Sequence, residues 1–502
     1  MSTKVIDKHH FDILLGHESY EYEYNYLTAS MKDQKFDNNY ELGNYSNLNT
    51  TPNSYTHKYA TEGYLSRFNY DYNSKYFVSG SFRRDGSSRF YKDSRWGNFW
   101  SIGGGWRIDK EKFMSKFEFI DLLKLRASYG EVGNDDIGGY YPWRATYENA
   151  QNAGEAGYIQ SSLGNKNLQW EVSRNFDVAV EFGFLNKIRG SIEYFNRKSS
   201  NLLFSVPLSF STGMESQDMN AGSMYNRGIE VEINTNIFDR KDFTWDVNVN
   251  ATHIKNKVTD LPVDPFISGK HKIEEGHSRY EFYLKQWKGV DPATGSSLYL
   301  PNETALKESE SLVDVNGTTY TTDINEALED YSGDAMPKVS GGISTNLTYK
   351  GFSLALTFYY QLGGKMYDTA YSSLMSPGTG SLSYSNMHVD ILKRWQKPGD
   401  ITNVPRVSNG SDATNLTGSS TQWLVSSNML ELSTINFGYT FPKTWISRFS
   451  LSDLKLYFSA ENVFQITKRQ GIYPRKNISG YASNGDVYLP SRVFTMGLNL
   501  TF

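Results

Sequence analysis

Arg492-Val-Phe-Thr-Met-Gly-Leu-Asn-Leu-Thr-Phe502 decides how this chain is read. Phe494, Met496, Leu498, Leu500 and Phe502 fall on one face of an extended backbone; Val493, Thr495, Gly497, Asn499 and Thr501 fall on the other. A period of two is that of a β-strand. An apolar stripe that runs to a terminal aromatic residue suits a strand that closes a cylinder and turns one side to lipid.

The alternation recurs along the chain. Tyr76, Val78, Gly80 and Phe82 oppose Ser79, Ser81 and Arg83, and Trp100, Ile102, Gly104 and Trp106 oppose Ser101, Gly103, Gly105 and Arg107. Ile188, Gly190, Ile192 and Tyr194 oppose Arg189, Ser191 and Glu193, and Leu454, Leu456 and Phe458 oppose Lys455 and Ser459. Tyr20, Tyr22, Tyr24 and Tyr26 read as one more such stripe, against Glu21, Glu23 and Asn25. A soluble sandwich also alternates. These stripes, however, approach the roughly 9–11 residues that cross a bilayer as a strand, and several end in Tyr, Trp or Phe, as an interfacial girdle does.

Composition sets the bounds. The chain has 502 residues, a net charge of −4 and no cysteine, with 36 Tyr, 29 Phe, 10 Trp, 42 Gly and only 14 Pro. The charge is too small for a nucleic-acid binder, and the missing thiols exclude disulfides and cysteine chemistry. A mean hydropathy of −0.56 fits a barrel whose lumen face is polar, as well as a Tyr-rich extracellular sandwich or propeller. The first ten residues are polar and carry no signal-peptide core, so an exported chain is expected either to be the C-terminal part of a longer protein or to have a misplaced start.

Connection lengths separate these readings. Tyr72–Lys75, Leu185–Lys187, Phe238–Asp242 and Tyr349–Gly351 are short turns, whereas 28–56, 132–173, 199–225, 256–280, 289–337, 365–427 and 465–489 are long links. Bacterial outer-membrane barrels have this asymmetry, with short turns in the periplasm and long loops outside. The fold expected is therefore all-β, an antiparallel transmembrane β-barrel.

Ordered motifs carry a family resemblance. They include Ser94-Arg-Trp-Gly-Asn-Phe-Trp-Ser-Ile-Gly-Gly-Gly-Trp-Arg107, Tyr129-Gly-Glu-Val-Gly-Asn134, Asn165 to Trp170-Glu171, and Asn226-Arg-Gly-Ile-Glu230. Further on come Asp291-Pro-Ala-Thr-Gly295, Met336-Pro-Lys-Val-Ser-Gly-Gly342, Gly363-Gly-Lys365, Arg394-Trp395 through Val404-Pro-Arg406, Ile435 to Pro442, and Ala460-Glu-Asn-Val-Phe464. In this order they resemble the C-terminal barrel region of SusC/RagA-type TonB-dependent outer-membrane transporters of Bacteroidetes. One departure is Tyr473-Pro-Arg475, where the family often has Asp-Pro-Glu.

The resemblance implies that residues 1–502 form a single domain, a partial barrel of about 14–15 strands out of about 22, with the plug absent. The long loops near 132–173, 199–225, 289–337, 365–427 and 465–489 would face outward. It implies uptake of oligosaccharides or peptides across the cell outer membrane, a SusD-like surface lipoprotein as partner, and energy from the TonB complex through the missing plug. A siderophore or vitamin receptor and a passive porin are the alternatives.

No catalytic constellation is present: there is no Gly-x-Ser-x-Gly elbow and no phosphate loop. An enzyme is not expected, nor a cofactor. The eight His are scattered without metal-ligand context, so no metal site is expected. Asp314-Val-Asn-Gly317 lacks the spacing and Glu of an EF-hand loop. The Asn-x-Ser/Thr sequons at Asn302, Asn316, Asn346, Asn409 and Asn415 read as chance. Loop aromatics Tyr140, Tyr141, Trp143, Trp287, Trp395 and Trp423, with Tyr299, are the candidate ligand contacts, because aromatic faces suit the apolar C–H patches of sugar rings.

Overall fold

The computed structural model of the protein describes residues 2–376, 386–408, 412–481 and 489–502; the side chains of 2–6 and 476, the Asn409 sequon and the centres of the 365–427 and 465–489 links lie outside the described residues. Its principal sheet has 15 strands. They are β1 (Ser2–Ile6), β2 (His9–Gln34), β3 (Tyr45–Tyr72), β4 (Tyr76–Ser87), β5 (Trp96–Arg107), β6 (Ile120–Asn134), β7 (Glu171–Phe184) and β8 (Ile188–Ser200). There follow β9 (Ser223–Arg240), β10 (Phe243–Asp260), β11 (Val339–Tyr349), β12 (Phe352–Leu362), β13 (Met429–Thr440), β14 (Asp453–Thr467) and β15 (Val493–Thr501). Their order in the sheet is their order in the chain.

The short turns fall where the sequence puts them. Both central residues have positive φ in three of the four: Asn73 and Ser74 at 52° and 50°, Leu185 and Asn186 at 54° and 52°, Lys350 and Gly351 at 44° and 90°. This conformation matches the right-handed twist of the strands it joins. One link differs from expectation. The 28–56 stretch is mostly strand, because β2 runs to Gln34 and β3 starts at Tyr45. Beyond Thr61 and Ser87, where pairing to β4 ends, this hairpin is a ribbon of two strands. Solvent reaches both of its sides, so its sequence carries no single buried face to read.

By internal contacts the chain divides into two units. The first comprises Met1–Arg107, Leu125–Val178 and Asn196–Met224. Within it, Ile13 opposes Phe68, Phe68 opposes Gly80, and Gly80 opposes Ile102. This apolar row is solvent-accessible; Leu15 is 74% exposed and Ile102 55%. The opposite face carries Asp12, Glu18, Arg67, Ser81, Arg83, Asp85 and Ser101, as the same registers dictate. Tyr20, Tyr22, Tyr24 and Tyr26 continue this polar face, since Glu18 opposes Gly63 and Tyr22 opposes Tyr59. The sequence reading of those tyrosines as part of the apolar stripe is corrected here. Alternation separates two faces; only register says which neighbours a tyrosine joins.

The second unit comprises Ile108–Lys124, Ala179–Phe195 and Tyr225–Phe502. Ile192, Ile229, Ile343, Phe437, Leu456 and Met496 are exposed there on the apolar sides of their strands. Its apolar clusters lie in the links. Phe282, Leu284, Ala335, Tyr367, Met375 and Trp423 form one apolar cluster, and Tyr299, Ile324 and Ala327 a second. A sandwich would bury its strand stripes; here the loops hold the core and the stripes stay uncovered.

Two glycines of the sequence motifs allow strands to approach closely. A Cβ on Gly228 would stand 1.9 Å from the His253 carbonyl oxygen, and one on Gly341 would stand 2.0 Å from that of Asn250. Such contacts exclude any larger residue without moving backbone.

Candidate functional site

In the first unit, the protruding ribbon carries a ladder of rings on its polar face. Tyr22 lies parallel to Tyr24 at 6.5 Å, Tyr24 to Tyr26 at 6.4 Å, and Tyr26 stacks on Tyr55 at 4.8 Å. Tyr55 then meets His57 at 4.6 Å, and His57 stacks on Tyr140 at 4.7 Å. An isolated two-stranded ribbon is marginal in water. Cross-strand aromatic pairs stabilise one by about 0.2–1 kcal/mol each, so the ladder explains why this hairpin stands beyond the sheet.

A polar clasp places the loop that brings Tyr140. Asp135 accepts from the Tyr59 hydroxyl at 2.9 Å and from Ser87 at 2.6 Å. Arg89 pairs with Asp136 at 2.9 Å while its guanidinium lies 4.7 Å over the Tyr59 ring. Tyr141 accepts from the Lys58 backbone N–H at 2.8 Å. Trp143 lies 5.4 Å from Tyr91, and its indole N–H reaches the Ser88 carbonyl at 3.4 Å. Tyr140, Tyr141 and Trp143 thus come together on one loop, each engaged by a neighbour.

The other sequence-predicted candidates lie in the second unit, with Trp287 and Tyr299 opposite each other across one strand pair and Trp395 and Trp423 in other surroundings. Trp423 is 2% exposed inside the larger apolar cluster and donates to the Gly418 carbonyl at 3.0 Å. Trp287 packs against the Tyr299 cluster and donates to Ser297 at 3.3 Å. Tyr299 is fully buried, and its hydroxyl donates to the Asn415 carbonyl at 2.8 Å. Trp395 covers Gly295 and donates to the Pro292 carbonyl at 2.9 Å, where Asp291 caps its own turn through the Ala293 N–H and the Thr294 hydroxyl at 2.9 and 2.6 Å. The Asp291–Gly295 motif is therefore the seat for this ring.

Sequence reasoning missed the polar groups under these loops. Asp368 is 2% exposed; it accepts from Arg469 at 2.8 Å and from the Tyr371 N–H at 3.0 Å. The Arg469 guanidinium lies 3.5 Å over the Tyr371 ring. Burial, aided by the hydrogen bond to Asp390, pushes the Tyr371 phenol up to about 12, so it remains a donor. Similarly, Glu431 is 3% exposed and pairs with Arg475 at 3.5 Å, and that guanidinium lies 4.2 Å over Tyr359. The Arg475 departure noted in the sequence thus has its own acidic partner. No local pattern reveals it, because Arg475 meets Glu431 only when the link after β14 folds back over β13. Among the described residues no three His, Cys, Asp or Glu converge as a cation site.

His271 ties two loops together. Its Nε2 bonds the Ser479 carbonyl at 3.0 Å, and its ring lies 4.7 Å from Phe282. Burial lowers its pKa, outweighing the backbone hydrogen bonds of Glu281 and Ser479 and the Asp334 carboxylate, which raise it; Arg279 lowers it further. The fold therefore holds the neutral ring, so stability is present above the ordinary histidine range and is lost as pH falls through the lowered value. The protection of residues 266–285 against hydrogen exchange, taken relative to the unstructured chain at each pH, should fall from pH 7.5 to pH 5, and His271→Gln should flatten that dependence.

The lipid-ready face, the extended ribbon and the loop-held core are joined by one comparison: the family described as TonB dependent receptor-like, beta-barrel, matches residues 6–463. The chain belongs to the TonB-dependent receptor β-barrel family. It is 30% identical to TonB-dependent receptor P39 of Formosa agariphila across 99% of this chain and 51% of that protein. It is 28% identical to TonB-dependent receptor SusC of Bacteroides thetaiotaomicron, across 88% of this chain and 43% of SusC. The solved RagAB peptide transporter superposes with a TM-score of 0.83 at 25% identity, covering 100% of this chain and 54% of that one. The chain spans about half the length of these relatives. As a TonB-dependent receptor barrel of the SusC and RagA kind, it is a protein of the outer membrane, and its uncovered apolar stripes are the surface that meets lipid.

Proposed function

We propose that this chain is the later barrel part of a SusC-like TonB-dependent importer that takes up oligosaccharides or peptides with a SusD-like lipoprotein. The observation that carries the reading is the pairing of an exposed apolar face with a polar face rich in aromatic and ion-paired loop structure. A bilayer stabilises the first; the second offers a solute many polar and aromatic contacts. Transport, not catalysis, is the role such a wall serves. The long links face outward in this reading, and residues 1–502 act as one barrel domain whose plug and TonB contact lie elsewhere. Tyr140, Tyr141 and Trp143 are the aromatic contacts the first unit offers a solute, while Trp287, Trp395 and Trp423 shape the loops of the second.

Uptake by the native host tests the proposal. Labelled oligosaccharides and peptides are offered to cells with and without the gene, the lipoprotein and a working TonB complex. Loss of uptake of one of these classes in all three deletions is expected. Loss of ferric siderophore or cobalamin uptake instead would move the substrate class, and TonB-independent flux would mean a passive pore.

A further inference from the structure

We infer that the polar face of the second unit holds a subsite for a carboxylate group of the transported solute. This rests on the importer reading and deepens it. Beneath the 335–337, 363–366 and 474–480 segments lies a cavity of about 230 Å³. Thr252, Ser340, Tyr359 and Gln361 line it from the polar faces of β10, β11 and β12, as their register requires. Ala335, Met336, Met366 and Ile478 give it an apolar side. Among the described residues its charged lining is Lys365 and Arg475, with no acid beside them.

The two cations differ in what already occupies them. Arg475 is fixed by Glu431 at 3.5 Å and by the Tyr359 ring at 4.2 Å. A guanidinium has five N–H donors, so this clamp orients it without exhausting it. Lys365 is exposed and, among the described residues, makes no ion pair. One polar group at the site is unexplained by the fold. Ser427 is 2% exposed and its hydroxyl is buried with no hydrogen-bond partner. It fits there only because position 364 is glycine, whose Cβ would otherwise stand 2.4 Å from that oxygen. A fixed guanidinium, a free ammonium and nearby hydroxyl and amide donors make a receptor for a carboxylate whose carbon skeleton rests on the methionines. A uronic acid of an oligosaccharide and the C-terminus of a peptide both present that group.

Binding to the protein purified in detergent from its native outer membrane tests the subsite by calorimetry. The probes are a trigalacturonate against its methyl ester, and a tetrapeptide acid against its amide. One acid probe is expected to bind at least about tenfold more tightly than its neutral counterpart, in line with a charge-assisted hydrogen bond. Which pair shows this identifies the source. Lys365→Gln should abolish the preference and Lys365→Arg retain it. Among the described residues Lys365 has no side-chain ion pair or hydrogen bond to lose, and the Glu431→Gln/Arg475→Gln double variant, which should also weaken the preference, removes the second cation without stranding a buried charge. Equal binding of acid and neutral probes, no binding of any probe, or an undiminished preference in Lys365→Gln overturns the subsite. Tight acid binding with no TonB-dependent uptake of either class would instead remove the importer reading and leave the subsite standing.

Discussion

Ile192→Arg should sharply lower the folded yield of this protein in outer membranes, whereas Ser191→Arg, one residue away, should not. Ile192 is 50% exposed on the apolar side of β8, and Ser191 lies on the other. In water an exposed Ile→Arg change costs almost nothing. At the hydrocarbon midplane the same change costs about 2–4 kcal/mol, because no water is there to solvate the guanidinium. Heat-modifiable migration on gels and urea midpoints in lipid vesicles would measure the difference. If the two arginines have equal effects in vesicles, the stripe does not face acyl chains and the membrane assignment falls with it.

Asp368→Ala should release the loop that follows β12 while leaving the sheet intact. The substitution strips Arg469 of its buried partner and removes the cap on the Thr369–Met375 helix. Breaking a buried pair on one side costs about 3–5 kcal/mol; Arg469 keeps 29% of its side chain in solvent, which holds the cost here to the low end of that range. The loss of the cap adds about 1 kcal/mol. Hydrogen exchange should rise across 365–376 and 386–395, and protease should cut there first. Replacing both partners, as Asp368→Asn with Arg469→Leu, should be milder than Asp368→Ala, because no orphan charge remains. A double variant as open as the single one would mean that the clasp acts through packing of Arg469 on Tyr371.

Much of the fold was legible in the residues. Strands such as β5, β8, β12 and β15 announce themselves by a period of two, and the turns at Asn73-Ser74 and Lys350-Gly351 lie where the apolar stripes break. The motifs are legible as architecture too. Leu168 and Trp170 anchor a loop, the latter through the Arg95 carbonyl at 2.9 Å, and Asp291 to Gly295 seats Trp395. The candidate site was less legible. An aromatic residue on a link looks the same whether it is a buried post, as Trp423 is, or part of a half-open stack, as Tyr140 is. Burial depends on what the link folds against, and that information is not local.

The sequence by itself determined the strands, their two-faced character, the short-turn and long-link asymmetry, and hence a sheet that needs lipid on one side. These follow from backbone geometry and side-chain polarity, which act within a few residues. Tertiary structure alone decided that the tyrosines of β2 join the polar face, that Glu431 answers Arg475, and that Asp368 holds Arg469. Each depends on strand register or loop closure over long stretches of chain, where a shift of one residue would exchange the faces and part the charges.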